Sequence, residues 1–378
     1  SGMTVEPTRH NAHRALIAAG GTGGHVYPAL AVAGALSEQG WTVEWIGTER
    51  GIEHRLVPAS GIPLHCLNVS GLRGKSLFDR ARSLVRVIGG LWRSVNIIWR
   101  VRPDIVLGMG GYAAGPAGLA AWLTRLPLVI HEQNAVAGTT NRWLAPLAKR
   151  VLCGLPGEFA RRRDARVVGN PVRANLCEVD RSGLAELSGF SAQRPLNLLV
   201  LGGSLGAAPL NRLLPPTIDR LVIKGLGESI AVWQQCGESN RSAADEAWQG
   251  TRFSQCQRDD FIDDMATAYA WADVVIARAG ALTVSELAAT GTPSILIPLP
   301  QAIDDHQTHN AQVLTETGGA VMVAQSDATP ECIADRLEQW IQSPVSLLEM
   351  ARRALGMITA NATDEVVAVL TEVAHAND

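Results

Sequence analysis

Short apolar runs recur along this chain, and each ends in glycine or in polar residues. Arg14–Ala19 (RALIAA), Thr42–Ile46, Ile105–Leu107 and Leu128–His131 read as buried strands. Runs of this kind suit a parallel sheet covered on both faces. Between the first two, Pro28–Gln39 (PALAVAGALSEQ) predicts a helix with proline in its first turn and Gly40 at its end. The pattern then restarts. Leu196–Leu201 (LNLLVL), Ile230–Gln234, Val274–Ile276 and Ser294–Ile297 predict strands, with helices around Asn211–Leu214 and over Thr283–Ala289. Leu347–Ala374 is helical in character and predicts a segment that crosses back onto the first domain. The alternation of strand and helix predicts an α/β fold.

Glycine clusters punctuate the pattern at Gly20-Gly21-Thr22-Gly23-Gly24-His25, Gly108-Met109-Gly110-Gly111-Tyr112 and Gly202-Gly203-Ser204-Leu205-Gly206. A strand–glycine loop–helix unit points backbone N–H groups at an anion, with no Cβ in the way. The first and third clusters stand about half a chain apart. This echo predicts two similar nucleotide-type domains facing each other across a cleft. The turn-rich Gly169-Asn170-Pro171-Val172-Arg173 marks the expected hinge.

Composition bounds the class. The chain has 378 residues, 47% hydrophobic and 18% charged, so it is globular and long enough for two domains. Ser1-Gly2-Met3 resembles a tag scar, and a polar leader follows to residue 13. No signal peptide and no transmembrane run are expected. The cysteines are scattered without Cys-x-x-Cys, which argues against disulfides or a zinc cluster and fits a reducing compartment. The net charge of −3 hides an asymmetry: residues 1–173 carry 21 basic and 10 acidic side chains, the remainder 12 and 26. A basic first half calls for an anionic partner.

The motifs leave alternatives open. Gly20–His25 fits neither the dinucleotide fingerprint, since Val26 stands where glycine is needed and no acid ends the second strand, nor a Walker loop. It reads equally as a structural turn or as an anion loop with His25 as general base. His131-Glu132-Gln133-Asn134 reads as a ligand-facing strand end or a capped turn. Arg278–Glu286 offers helix N–H groups for a diphosphate and Glu286 for ribose hydroxyls, or simply a first-turn glutamate. Asp304–Asn310 suits sugar hydroxyls; a metal at His306-x-x-His309 is the weaker reading, because no further ligand cluster completes it. Leu72–Arg102 interleaves basic residues with Leu77, Phe78, Leu84, Val85, Ile88 and Trp92. It reads as a membrane-interface helix over Leu77–Trp92 and as a packed helix over Val95–Trp99. No nucleic-acid motif appears.

Taken together, these stretches resemble the MurG-type glycosyltransferases. The resemblance is carried by GGTGGHVYPALA (20–31), SGLRGK (70–75), LGMGGYAAGP (107–116), HEQNAVAG (131–138), GNPVR (169–173), GGSLGA (202–207), FIDDMATAYAWADVVIARAGALTVSE (261–286) and DDHQTHNA (304–311). It covers nearly the whole chain after the leader. Leu205 stands where many members have glutamine, and His306 where some do. The resemblance implies a GT-B fold, with an acceptor- and membrane-binding domain over 14–173 and a UDP-N-acetylglucosamine-binding domain over 174–350. Residues 351–378 would pack back on the first domain.

It also implies inverting, metal-independent transfer of N-acetylglucosamine from UDP-N-acetylglucosamine to the C4 hydroxyl of lipid I, giving lipid II. No cofactor is implied. The site residues implied are Arg173 and the Ile262 backbone at the uridine, and Glu286 at the ribose. Ser204 and Ala281-Leu282-Thr283-Val284-Ser285 fall at the diphosphate, and His306 and Gln307 at the sugar. Thr22, Gly23, Gly24 and Asn134 fall at the sugar and acceptor, and His25 or Glu132 serves as base. Leu77, Phe78, Arg80, Arg82, Leu84, Val85, Arg86, Ile88 and Trp92 would meet an anionic membrane at the cytoplasmic face of the inner membrane. Cell-wall synthesis and division proteins are further partners implied. A GT-B transferase for a soluble acceptor and an epimerase-type nucleotide-sugar binder are the rival readings.

Overall fold

The computed structural model describes residues 13–68, 77–173, 175–203, 206–300, 305–355 and 361–376, with side chains of 77–84 outside the description. The chain divides into two compact units. One comprises residues up to Glu132, Gly138–Leu152 and the chain from Thr363; the other comprises Gln133–Ala137 and Cys153–Ala362.

The first half of the chain runs β1 (Arg14–Ala19), α1 (Gly23–Glu38), β2 (Thr42–Thr48), α2 (Glu53–Ala59), β3 (Leu64–Leu67), α3 (Leu77–Val101), β4 (Ile105–Gly110), α4 (Ala114–Leu123), β5 (Leu128–Glu132), α5 (Thr139–Leu144), β6 (Arg150–Cys153) and β7 (Ala165–Val167). Its sheet has the order β3-β2-β1-β4-β5-β6-β7. β1 pairs in parallel with both β2 and β4, so the chain reverses direction across the sheet at β1. That is the switch point of a doubly wound fold.

The second half repeats the plan with β8 (Leu196–Leu201), α6 (Ala208–Ile223), β9 (Ile230–Gln235), α7 (Arg241–Gln249), β10 (Cys256–Asp259), α8 (Met265–Trp271), β11 (Val274–Ala277), α9 (Ala281–Thr290), β12 (Ser294–Leu296), α10 (His306–Thr315), β13 (Ala320–Met322), α11 (Pro330–Gln342) and α12 (Pro344–Leu355). Its order, β10-β9-β8-β11-β12-β13, again turns about the first strand. α13 (Ala362–His375) closes the chain and lies almost wholly in the first unit, where Arg150 pairs with Glu372 at 3.0 Å.

Strand alternation builds the core of the second unit on both sheet faces. Leu198, Val200, Val232 and Ile276 pack with Leu210, Leu214 and Ile218 of α6 and Ile333 and Leu337 of α11. Leu199, Leu201, Val275 and Ala277 pack with α8, α9 and α10. The expected strands stand close to their predicted places. α1 instead begins at Gly23, so Pro28 lies inside it rather than in its first turn. α6 runs far beyond Asn211–Leu214, through Pro215 and Pro216, because Leu210, Leu214, Ile218 and Leu221 keep one buried stripe along it.

Gly169–Arg173 lies inside the second unit rather than between units. Asn170 Nδ2 donates to the Gln133 carbonyl at 3.0 Å and to Ser285 Oγ at 2.9 Å, which anchors the segment there. The helical tail is two helices, and α12 belongs to the second unit.

Candidate active site

In the second unit, α9 starts at Gly280, which has no side chain to cap the helix. Val284 N–H already reaches the Gly280 carbonyl at 3.0 Å. The N–H groups of Ala281, Leu282 and Thr283 form the open first turn, at the positive end of the helix. Val284 and Ser285 face inward, and the Ser285 hydroxyl donates to the Ala281 carbonyl at 2.8 Å.

Arg278, immediately before this turn, is buried. Its guanidinium donates to the Ile297 carbonyl at 3.0 Å and to Gln325 Oε1 at 2.6 Å. Burial pulls its pKa down, yet a guanidinium stays charged. Gln307 of α10 accepts from Ala279 N–H at 3.2 Å and Leu299 N–H at 2.9 Å through Oε1. That orientation leaves Nε2 as a donor. His306 is partly buried, and its Nδ1 is buried with no hydrogen-bond partner.

One turn into α9, Glu286 Oε2 accepts from the hydroxyl of the fully buried Tyr269 at 2.9 Å. Burial pushes the Glu286 carboxyl up, while Tyr269 and the Arg173 charge pull it down. Burial likewise pushes the Tyr269 phenol well up. Arg173 Nη1 donates to the Asp263 carbonyl at 3.0 Å. Arg173, the 262–263 backbone, Tyr269 and Glu286 therefore gather in one place.

At Ile262, whose backbone is a candidate contact for a nucleoside, the N–H donates to Gln235 Oε1 at 3.0 Å, and Gln235 Nε2 donates to the Gly203 carbonyl at 2.8 Å. Asn134 belongs to this unit: the fully buried Asn310 donates to its Oδ1 at 3.0 Å and accepts from Ala135 N–H at 2.9 Å. Ser204 lies outside the described residues.

In the first unit, Thr22 takes an extended conformation and starts α1, with His25 in its first turn. His25 is partly buried and its ring lies against Gly110. Gly111, at φ +86°, sits so close to the Gly20 carbonyl that a side chain there would collide with backbone. The first and second glycine clusters are thus pressed together, and His25 stands at their junction.

Glu53 was not foreseen. It is fully buried; Oε2 accepts from Gly21 N–H at 2.9 Å, and Oε1 from Thr48 N–H at 2.8 Å and Thr48 Oγ1 at 2.7 Å. Gly20, Gly47 and Gly51 leave the room it fills. This buried acid from α2 locks the glycine loop to the end of β2. Glu132 is also buried. Its Oε2 accepts from Asn141 Nδ2 at 2.8 Å and Gly138 N–H at 3.1 Å, so it holds the start of α5.

On α3, Val85, Ile88 and Trp92 are 69%, 49% and 64% exposed, and their spacing puts them on one helix face. Ser94, Ile97, Ile98 and Val101 face the core, whereas Trp99 is exposed. Arg86 is partly exposed; the side chains of Leu77, Phe78, Arg80, Arg82 and Leu84 lie outside the description. Trp122 and Leu123 of α4, which packs on α3, add exposed apolar surface that the sequence reading missed. No helix among the described residues is long and apolar enough to cross a membrane, and none of their acid, histidine and cysteine side chains cluster as a metal site.

Residues 15–153 match the glycosyltransferase family 28 N-terminal domain, and residues 197–366 its C-terminal domain. With the paired doubly wound sheets, these define a GT-B glycosyltransferase. The crystal structure of MurG from Acinetobacter baumannii is similar at a TM-score of 0.79 and 36% identity, covering 96% of this chain and 99% of that one. The UDP-N-acetylglucosamine–N-acetylmuramyl-(pentapeptide) pyrophosphoryl-undecaprenol N-acetylglucosamine transferase of Stutzerimonas stutzeri is 48% identical over 361 residues, 95% of this chain and 98% of the relative. Its counterpart from Tolumonas auensis is 44% identical over 352 residues, 93% and 97%. This chain belongs to the MurG family of N-acetylglucosamine transferases. A putative UDP-N-acetylglucosamine 2-epimerase from Listeria monocytogenes, 14% identical with a TM-score of 0.66 over 97% of this chain and 98% of that one, shares the fold alone.

Proposed function

We propose that this chain transfers N-acetylglucosamine from UDP-N-acetylglucosamine to the C4 hydroxyl of the muramoyl residue of undecaprenyl-pyrophosphoryl-muramoyl-pentapeptide, forming lipid II and UDP. The observation that carries the donor half is the gathering of Arg173, Ile262, Tyr269 and Glu286 beside the open first turn of α9. Glu286 keeps Oε1 for ribose hydroxyls while Tyr269 holds Oε2. The diphosphate takes the N–H groups of Ala281, Leu282 and Thr283, with Ser204 from the third glycine loop. Gln307 Nε2 and His306 meet the sugar, as does Asn134.

The acceptor hydroxyl attacks the anomeric carbon from the face opposite UDP. The bond to the β-phosphate oxygen breaks as the new glycosidic bond forms, and the configuration inverts. His25 takes the hydroxyl proton, with Thr22, Gly23 and Gly24 at the acceptor. Glu132 is the weaker base, because it is buried and its Oε2 already accepts from both Asn141 and Gly138. The α9 N-terminus and the Arg278 charge stabilise the leaving diphosphate by fixed electrostatics, so no metal is required. The exposed face of α3 at Val85, Ile88 and Trp92, with Arg86 beside it, seats the protein on the cytoplasmic surface of an anionic membrane.

The test is UDP release in EDTA, with the acceptor carried in anionic vesicles that are also floated. Acceptor-dependent release and co-flotation that Trp92→Glu weakens are expected. Release without acceptor overturns the transferase reading, and loss in EDTA restored by Mg²⁺ overturns metal independence. Flotation unchanged by Trp92→Glu overturns the membrane face.

A further inference from the structure

Gln235 ends β9 and is 5% exposed. Both hydrogen bonds of its amide go to backbone, and each goes to a different loop of the donor site. Oε1 holds the Ile262 N–H, in the loop assigned to the pyrimidine, and Nε2 holds the Gly203 carbonyl, in the loop assigned to the diphosphate. A trans peptide is planar, so pinning Ile262 N–H also fixes the Phe261 carbonyl to point the opposite way. At the other end Gly203 sits at φ +84° and Gly206 at φ +72°. A glycine-rich turn has few side-chain contacts to set its shape, so bonds to its backbone set it instead: the Gly203 carbonyl accepts from Gly206 N–H at 3.0 Å within the turn and from Gln235 outside it.

We propose that Gln235 is a positioning residue that ties the pyrimidine-reading backbone at Ile262 to the glycine loop that receives the diphosphate, so both halves of a nucleoside diphosphate meet one preformed site. This rests on the donor reading above. A neutral amide supplies an acceptor at one end and a donor at the other, which an ionised carboxylate does not. The fold does not hang on this residue. α6 is anchored separately by Asn211, which takes Gln234 Nε2 at 2.8 Å and donates to the Cys236 carbonyl at 3.0 Å.

The experiment is calorimetric binding of UDP to the full chain, comparing wild type, Gln235→Leu and Gln235→Glu at about pH 8 and about pH 5. Gln235→Leu leaves the buried Ile262 N–H unpaired and removes one of the two donors to the Gly203 carbonyl, which keeps Gly206 N–H at 3.0 Å, and is expected to weaken UDP binding at least about tenfold. Gln235→Glu separates positioning from mere loss of packing. Ionised, it accepts from Ile262 but repels the Gly203 carbonyl; protonated, it regains the donor. Its affinity relative to wild type at the same pH is therefore expected to climb from about one tenth at the higher pH towards parity at the lower. UDP affinity within about threefold of wild type in Gln235→Leu overturns the inference, as does a Gln235→Glu ratio that ignores pH. A wild-type chain that does not bind UDP overturns the donor reading, and this inference with it.

Discussion

The glycine loops after β1 and β8 are the same device wired with opposite polarity. Each is held by a side chain 32 residues further along, Glu53 on Gly21 and Gln235 on Gly203. In the first loop a carboxylate takes the glycine's N–H; in the second an amide grips the glycine's carbonyl. A diphosphate approaching the first loop meets a buried negative charge, and repulsion between like charges is strong where water is excluded. Approaching the second unit, it meets a neutral amide, an open helix start and the Arg278 guanidinium. The loop motif alone does not make an anion site; what holds the loop decides. The comparison also runs against the bulk charge, since the basic half of the chain carries the acid-filled loop and the acidic half carries the open helix start with Arg278.

If the loops divide the labour this way, first-unit changes should alter turnover and second-unit changes should alter donor binding. The largest expected effect is that of His25→Ala, a loss of about 10²–10⁴ in kcat with UDP affinity held. Unchanged turnover in a competent acceptor assay would move the base elsewhere.

Glu53→Gln should cost less. One amide oxygen cannot serve both the exposed Gly21 and the buried Thr48, and a Thr48 donor left unpaired costs about 1–3 kcal/mol. A lower melting temperature and about a tenfold fall in kcat are expected, with UDP affinity within about twofold. An equal fall in UDP affinity would show that the loops are not independent.

The smallest effect is one of pH. Burial raises the Glu286 carboxyl, so on acidification it protonates before an ordinary glutamate, near about 4.3, would. A protonated Glu286 accepts ribose hydroxyls less well, so wild-type UDP affinity should fall with an inflection above that value. Glu286→Gln should lack the inflection; its persistence there would assign the titration to another group.

The strands were legible because their apolar runs are continuous, and Arg14–Ala19 and Leu196–Leu201 needed nothing beyond that. Gly40 as the end of α1 was legible too: at φ +84° it lets Trp41 N–H reach back to the Leu36 carbonyl at 3.0 Å. The start of α1 was not, since a proline well inside a helix looks like a first turn until packing shows otherwise. Glu53, Gln235 and Tyr269 were illegible for a different reason. The partners that give them their roles (Gly21, Gly203, Ile262 and Glu286) are remote in sequence, and a buried glutamate or glutamine has no local spacing signal. Glu286 and Arg173 could be named from family resemblance, but not the phenol that holds one or the Asp263 carbonyl that receives the other.

A binding surface assembled from main-chain groups has a consequence for inhibition. Single substitutions change side chains and leave peptide N–H groups in place, so a compound that copies the contacts proposed at Ala281–Thr283 presents few targets for escape. Gly206 narrows them further, because its Cα lies against the Cys236 carbonyl and no larger residue fits there without moving backbone. Resistance would have to come through residues behind the surface, at the cost of the natural substrate's own affinity.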